Sequence, residues 1–200
     1  MNKIHRVFFH ELGHFVAREL NENYFDGTGS VEIKIYPCPQ DASEYCGHLT
    51  PIRPEGISEN DKTPVPIDRL AEHLTCNIYG CIFQSYYLNI DVRTCTDING
   101  EDDIKDWIGS LSANKLSFLN KEIFQLSTQY LELLKSQKLL DKFIKVLPED
   151  YLIETEYRHY VVNLHKLRDD TSQIIEEHHE YYKKFVEGHQ EIIDNNLNNK

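Results

Sequence analysis

The sequence predicts a mainly helical α+β fold, in which a small β-hairpin or sheet packs against helices. Apolar residues recur at helical spacing over long stretches, such as residues 3–20, 66–88 and 116–137. Only two short segments, 31–36 and 45–50, are typical of strands. Two strands cannot form a stable unit without helical packing, so we expect the helices to cover them.

The first predicted helix, at about residues 3–20, contains the pattern H-E-x-x-H at His10-Glu11-Leu12-Gly13-His14. Residues four apart lie on the same helix face, so His10 and His14 can direct two imidazoles at one point. This arrangement suits a tetrahedral Zn²⁺ ion, and Glu11 beside it suits a general base that takes a proton from water. The pattern is typical of metalloproteases.

The same five residues could also occur by chance on an exposed helix. The flanking Phe8, Phe9, Phe15 and Val16 instead predict a helix that is buried on two sides. Buried histidine and glutamate side chains need partners, and a metal ion supplies one. Gly13 is a poor helix former, so we expect it to let another segment approach closely beside the metal.

The two predicted strands follow this helix. Residues 31–36 alternate apolar and polar side chains up to Pro37, and residues 45–50 end at Pro51. A proline-containing loop at 51–65 then leads to the second helix. In that helix Gly80 predicts tight helix packing.

Three further helices and an extension are predicted after an acidic connection at 91–103. The third helix begins near Asp103, which faces the same side as Trp107, and the next two cover 116–137 and 139–147. We expect residues 1–147 to form one domain and residues 148–200 a helical extension with a disordered end. This extension is one long helix or a pair broken near Asp169-Asp170, and its His178, His179 and His189 are expected on a solvated face.

Composition excludes several classes of protein. The net charge of −12 argues against a nucleic-acid partner. The absence of an apolar run of ~18 residues argues against a membrane span. The start has no signal peptide, and five cysteines without a C-x-x-C pair predict reduced thiols rather than a disulfide framework. These features predict a cytoplasmic protein.

The motif leaves the third protein ligand of the ion open. The longer pattern H-E-x-x-H-x-x-G-x-x-H is excluded, because Ala17 and Leu20 occupy its last two positions. A glutamate from a following helix would be Glu72. An aspartate at the start of a later helix is the other possibility, with Asp103 ahead of Asp102.

The chain resembles the FtsH-type zinc peptidases over about residues 5–125. Residues 9–17 are similar to the zinc helix of that family, and residues 31–37 and 47–50 are similar to its two strands. Residues 78–84 occupy the place of its next helix, with Gly80 kept and a glutamate replaced by Gln84. Residues 100–104 look like the segment that carries the third zinc ligand. The small residues around Gly80 have become bulky, which argues against the hexamer packing of the family.

The resemblance implies a zincin-like peptidase domain in which His10, His14 and Asp103 bind Zn²⁺ and Glu11 is the general base. A polypeptide substrate would then lie along the strand at Gly47, His48 and Leu49. Because the chain has no P-loop, we expect it to cut unfolded polypeptides without ATP. A non-enzymatic zinc-binding regulatory protein is the alternative, and a separate protein partner or self-association through the C-terminal helices is also possible.

Overall fold

The computed structural model describes residues 2–25, 27–52, 65–98 and 100–197 of the chain. Within these ranges the chain forms six α-helices and four β-strands. Their bounds are α1 Lys3–Tyr24, β1 Ser30–Pro37, β2 Tyr45–Pro51, α2 Leu70–Leu88, α3 Val92–Ile98, α4 Glu101–Ala113, α5 Asn120–Ser136, β3 Leu152–Glu156, β4 His159–Val162 and α6 Leu164–Leu197. The mainly helical α+β class is therefore confirmed. Most of the predicted loop at 51–65 lies outside the described residues.

Helices α1 and α2 form the centre of the fold. Helix α1 begins where the side-chain oxygen of Asn2 accepts the backbone N–H of Ile4 at 3.2 Å, a standard N-cap. Two glycines let the helices approach closely. A Cβ on Gly13 would collide with the backbone of Tyr79, and one on Gly80 would collide with the ring of His14. The predicted close approach at both glycines is thus confirmed.

The four strands form one antiparallel sheet in the order β2-β1-β4-β3. Strands β1 and β2 make the predicted hairpin, with Ile33 opposite Leu49 and Ile35 opposite Gly47. Ile33 and Ile35 are fully buried against the helices, as the alternation along β1 predicts. Strand β2 forms an edge of the sheet and lies against α1.

The helical prediction for residues 151–163 is wrong, because these residues form the β3–β4 hairpin. Its turn contains Arg158 at φ 62°, and the backbone N–H of Arg158 donates to the carboxylate of Glu154 at 2.9 Å. Strand β4 then pairs with β1 through Lys34 and Ile35. The apolar spacing of three to four residues in this segment also occurs in helices, but the β-branched residues Thr155, Val161 and Val162 favour a strand. The boundary at residue 147 stays a prediction.

The prediction of helices was also incomplete before the hairpin. The acidic connection contains α3, whose first turn is capped by Asp91: its carboxylate accepts the backbone N–H of Thr94 at 2.8 Å. Residues 139–147 contain only a short 3₁₀ turn, Phe143–Lys145, where a helix was expected.

Helix α6 is continuous through Asp169-Asp170 and extends to Leu197, so the described part of the expected disordered end is helical. Residues 198–200 lie outside the described residues. The solvated face predicted for His178 and His189 is wrong, since both side chains are buried: His178 packs against Tyr79 of α2, and His189 packs against Phe185 of α6 itself. His179 stacks on Tyr24 of α1. The apolar residues of α6 are buried against other helices of the same chain. Self-association of the protein through the C-terminal helices stays a prediction.

The prediction of reduced thiols without a disulfide is wrong for two of the five cysteines. Cys38 and Cys46 form a disulfide at the loop end of the β1–β2 hairpin, where the ladder brings their Cα atoms to 5.0 Å. Cys76, Cys81 and Cys95 are free and buried. Among the described residues, no helix combines the length and apolar character that a membrane crossing requires.

Candidate metal centre

Three predicted residues converge on one point at the junction of α1 and α4. The Nε2 atoms of His10 and His14 lie 3.1 Å apart, and Asp103 Oδ2 lies 2.9 Å from the first and 3.4 Å from the second. The histidines are four residues apart on α1, and Asp103 is in the first turn of α4. Gly100, just before α4, allows this approach, because a Cβ there would collide with Cys81 Sγ on α2.

Hydrogen bonds at Nδ1 orient both imidazoles. His14 Nδ1 donates to the backbone carbonyl of Cys76 at 2.9 Å, and His10 Nδ1 donates to Gln84 Oε1 at 2.9 Å. These assignments follow from the acceptors, since a carbonyl oxygen can only accept. Each ring therefore has an Nε2 lone pair to offer, and both lone pairs face the same point. A metal-binding histidine is typically oriented in this way.

The separations of the three atoms fit a tetrahedral ion. Metal–nitrogen bonds of about 2.0–2.1 Å in a tetrahedron keep ligand atoms roughly 3.3–3.4 Å apart. The observed 2.9, 3.1 and 3.4 Å are within a few tenths of an ångström of that value. Two nitrogens and one carboxylate oxygen also form a donor set that zinc accepts, with a fourth position for water.

The electrostatics of the site favour a cation. Burial is the largest effect on the pKa of His10 and acts to lower it, but the hydrogen bonds to Asp103 and Cys95 and the charge of Asp103 together outweigh burial and raise the pKa to about 10. Burial likewise opposes the charge of His14, whose pKa is nevertheless raised by Asp103. Burial acts to raise the pKa of Asp103, yet the charges of both histidines hold it well below its ordinary value. The site stabilises positive charge, whether protons or a metal ion carry it.

Glu11 lies beside this centre, buried under strand β2. Gly47 makes room for it, because a Cβ at Gly47 would collide with the Glu11 side chain. The Glu11 carboxylate makes no hydrogen bond or ion pair with any described residue, and it lines the same cleft as the histidines. Burial raises its pKa, although the charges of His14 and His10 act in the opposite direction. A carboxylate with no other partner and a raised pKa is suited to accept a proton from water.

The centre opens into a cleft of about 940 Å³ between α1, α4 and the β1–β2 hairpin. The predicted substrate residues Gly47, His48 and Leu49 all line this cleft on the edge strand β2. His48 is exposed, while Gly47 and Leu49 are partly covered. Among the described residues, no strand pairs with the outer side of β2, which is therefore available to an extended chain.

The other candidates for the third ligand lie elsewhere. The side chain of Asp102 is 97% exposed and bonds to Lys105 at 3.2 Å. Glu72 pairs with Arg69 at 2.7 Å on the first turn of α2. His73 accepts from Asn77 and contacts Ser110 Oγ, so it has partners within the fold as expected. Of the three acidic candidates, only Asp103 reaches the histidines.

A second group of possible ligands was not predicted from the sequence. The thiols of Cys81 on α2 and Cys95 on α3 lie within 4.8 Å of each other and of a nitrogen of His10. A hydrogen bond from Cys81 lowers the pKa of Cys95 to about 6. The two cysteines are 14 positions apart and form no recognisable motif, so only the packing of α3 on α2 joins them. All three side chains are buried, whereas Asp103 opens the first group to the cleft.

No protein-family model matches the chain, and neither does any curated protein or solved structure. A functional assignment therefore depends on the geometry and chemistry of this site.

Proposed function

We propose that the protein is a zinc-dependent metallopeptidase in which His10, His14 and Asp103 hold the ion and Glu11 is the general base. One observation carries this proposal. Three ligand atoms from two helices converge within 3.4 Å of one another. Next to them is the carboxylate of Glu11, which makes no hydrogen bond or ion pair with any described residue. A site that served only to stabilise the fold would need no base beside it.

In the proposed reaction, each residue of the site would have a separate role. A bound zinc ion supplies Lewis acidity, which lowers the pKa of water and polarises a carbonyl group. Glu11 takes the proton from the attacking water and passes it to the leaving amine. Gln84 and the carbonyl of Cys76 keep the imidazoles of His10 and His14 in the tautomer that binds metal. Removal of a general base typically lowers a rate by ~10²–10⁴.

The substrate would bind as an extended polypeptide along β2. Its backbone can add a strand to the outer side of β2 at Gly47, His48 and Leu49, where no described strand pairs, and this brings a peptide bond beside Glu11. Gly47 is suited to this position, since any side chain there would displace the general base. The disulfide between Cys38 and Cys46 closes the hairpin beside this edge.

We further propose that the chain is related to the FtsH-type zinc peptidases. The order of the zinc helix, hairpin and second helix supports this relationship. So does the proximity of Asp103 and Gln84 to His10, because these are the positions that the resemblance singles out.

Metal analysis of variants tests the proposal. Protein purified without chelator should carry about one zinc ion, and His14→Ala should lose it. Cys95→Ser is the matched control, because it alters the other possible ligand group and should keep the ion. Glu11→Gln should also keep zinc but lose hydrolysis of an unfolded polypeptide.

Three outcomes would contradict this assignment. Zinc lost from Cys95→Ser and kept by His14→Ala would move the ion to the group of His10, Cys81 and Cys95. Zinc binding without hydrolysis by the unaltered protein would favour a non-enzymatic regulatory role. Equal hydrolysis by Glu11→Gln would mean that another group is the base.

A further inference from the structure

The cleft beside the metal centre is lined by three basic side chains, Arg6, Arg18 and Lys105. Two of them are neutralised by neighbouring acids. Arg6 Nη2 pairs with Glu44 at 2.8 Å, and Lys105 pairs with Glu101 at 2.9 Å. Arg18 differs, because its guanidinium makes no hydrogen bond or ion pair with any residue that the structure describes.

Arg18 lies on the same helix face as the metal ligands. It is one turn beyond His14 and two turns beyond His10, which corresponds to roughly 6 and 12 Å along the helix axis. The usual rotamers of a long helical side chain direct it back toward the preceding turn. For Arg18 that turn carries His14. Arg18 lines the cleft, and its charge acts on Cys76, whose backbone carbonyl accepts a hydrogen bond from His14.

Several carboxylates line the cleft, but none of the described ones forms an ion pair with Arg18. The residue is only partly exposed, and its charge acts on the neighbouring His73 and Cys76 of α2. Asp106 also lines the cleft and acts on His73, yet it makes no ion pair with Arg18. A partly buried guanidinium without a carboxylate partner is costly to desolvate, and its planar donors match a carboxylate with two parallel hydrogen bonds.

We propose that Arg18 binds a carboxylate of the substrate, located one or two residues from the bond that is cut. The backbone rise from His14 to Arg18 is roughly 6 Å and an extended residue spans about 3.3–3.6 Å, so a peptide that passes the metal centre comes level with Arg18 within about two residues. The carboxylate is either the free C-terminus of the peptide or the side chain of an aspartate or glutamate. This inference rests on the proposed peptidase function and adds the class of substrate.

Matched peptides test the preference. A peptide with a free C-terminal carboxylate is compared with its C-terminal amide, and an internal aspartate is compared with asparagine in a longer peptide. We expect the better acidic form to exceed its neutral match by roughly 10- to 100-fold in kcat/KM, the range for a hydrogen-bonded charge pair. The pair of peptides that responds identifies the source of the carboxylate.

Two variants assign the preference to Arg18. Arg18→Gln should lower cleavage of the acidic peptide to the level of its neutral match. Lys105→Gln removes the same charge from the same cleft at a cation that is already paired, and it should keep the preference. A preference that persists in Arg18→Gln, or that both variants lose equally, would overturn the assignment.

A measurement of peptide binding tests the role of Arg18 independently of the proposed peptidase activity. Fluorescently labelled acidic and neutral peptides are titrated into Glu11→Gln, with and without Arg18→Gln. Tighter binding of the acidic peptide that depends on Arg18 supports the inference even if the unaltered protein cleaves nothing, an outcome that contradicts only the peptidase proposal. Equal or undetectable binding of both peptides overturns the role of Arg18, whether or not cleavage occurs.

Discussion

At the scale of single residues, the site depends on what lies behind the two imidazoles. His14 Nδ1 bonds to a backbone carbonyl, which no substitution at Cys76 removes directly. His10 Nδ1 instead bonds to the side chain of Gln84, 74 positions away. The orientation of one ligand is therefore built into α2, while that of the other depends on a single side chain. Substitution of Gln84 therefore tests directly whether this hydrogen bond orients the ligand His10.

Replacing Gln84 with leucine should weaken zinc binding by about 10- to 100-fold, the usual effect of losing the partner of a metal-binding histidine. The cause is that His10 Nδ1 loses its acceptor, so the ring can turn or change tautomer. Competition with a chromogenic chelator measures the affinity. Gln84→Glu keeps an acceptor at the same position and should bind zinc at least as tightly as Gln84→Leu does. Unaltered affinity in Gln84→Leu would mean that packing alone orients His10.

At the scale of elements, helix α6 is joined to α2 by hydrogen bonds inside an apolar interface. Tyr79 Oη contacts His178 Nε2 at 2.5 Å, and Thr75 Oγ1 contacts His189 Nδ1 at 2.7 Å. Burial lowers the pKa of His178 to about 4 and that of His189 to about 3. No charged group of the described residues pairs with either ring. Both histidines must therefore stay neutral for α6 to pack.

This packing should make the fold sensitive to acid. An unfolded histidine takes up a proton below pH ~6.5, whereas these two stay neutral until about pH 4, so stability present above pH ~6.5 falls as the pH drops. At pH 5 each histidine should cost about 2 kcal/mol of unfolding free energy. Denaturant unfolding at pH 7 and pH 5 measures the loss.

Variants on α6 assign the acid sensitivity to the buried rings. His178→Gln should be less stable at pH 7 but should lose about 2 kcal/mol less than the unaltered protein between pH 7 and pH 5. His165→Gln is the control, because the His165 side chain is 86% exposed on the same helix, and it should keep the full dependence. Identical pH dependence in all three proteins would contradict the role of the buried histidines.

At the scale of the whole molecule, the metal centre connects parts of the chain that are distant in sequence. His10 and His14 come from α1, Asp103 comes from α4, and the second helix α2 supports both through Gln84, Gly80 and Cys81. Strand β2 covers Glu11 from the other side. An ion at this point would join α1 to α4, and its binding would contribute to the stability of the folded state.

Zinc should therefore raise the thermal stability of the chain. A ligand at about 1,000 times its dissociation constant stabilises the folded state by ~4.1 kcal/mol, or roughly 8–16 °C in a chain of this size. Thermal unfolding with added zinc or with a chelator measures the shift. His14→Ala should show no zinc-dependent shift. A chelator that leaves the unfolding temperature of the zinc-loaded protein unaltered would contradict a site between α1 and α4.

Local spacing along the chain is enough to predict the helix and strand features of the site. The i, i+4 histidines, the adjacent Glu11 and the apolar flanks of α1 predicted a buried helix with two imidazoles on one face. The alternation of β1 predicted its buried side, and Gly13 and Gly80 predicted a close approach of two helices. Each of these follows from the period of a helix or strand or from the absence of a Cβ, so neighbouring residues contain the whole signal.

The contacts between distant groups follow from the packing of the elements and could not be predicted from local spacing. The tertiary structure selected Asp103 from three acidic candidates, joined Cys38 to Cys46 and brought Cys81 and Cys95 to His10. It also added the β3–β4 hairpin to the sheet and buried His178 and His189. Local spacing cannot specify these contacts, because the same apolar and polar residues suit either a surface or an interface until another element packs on them.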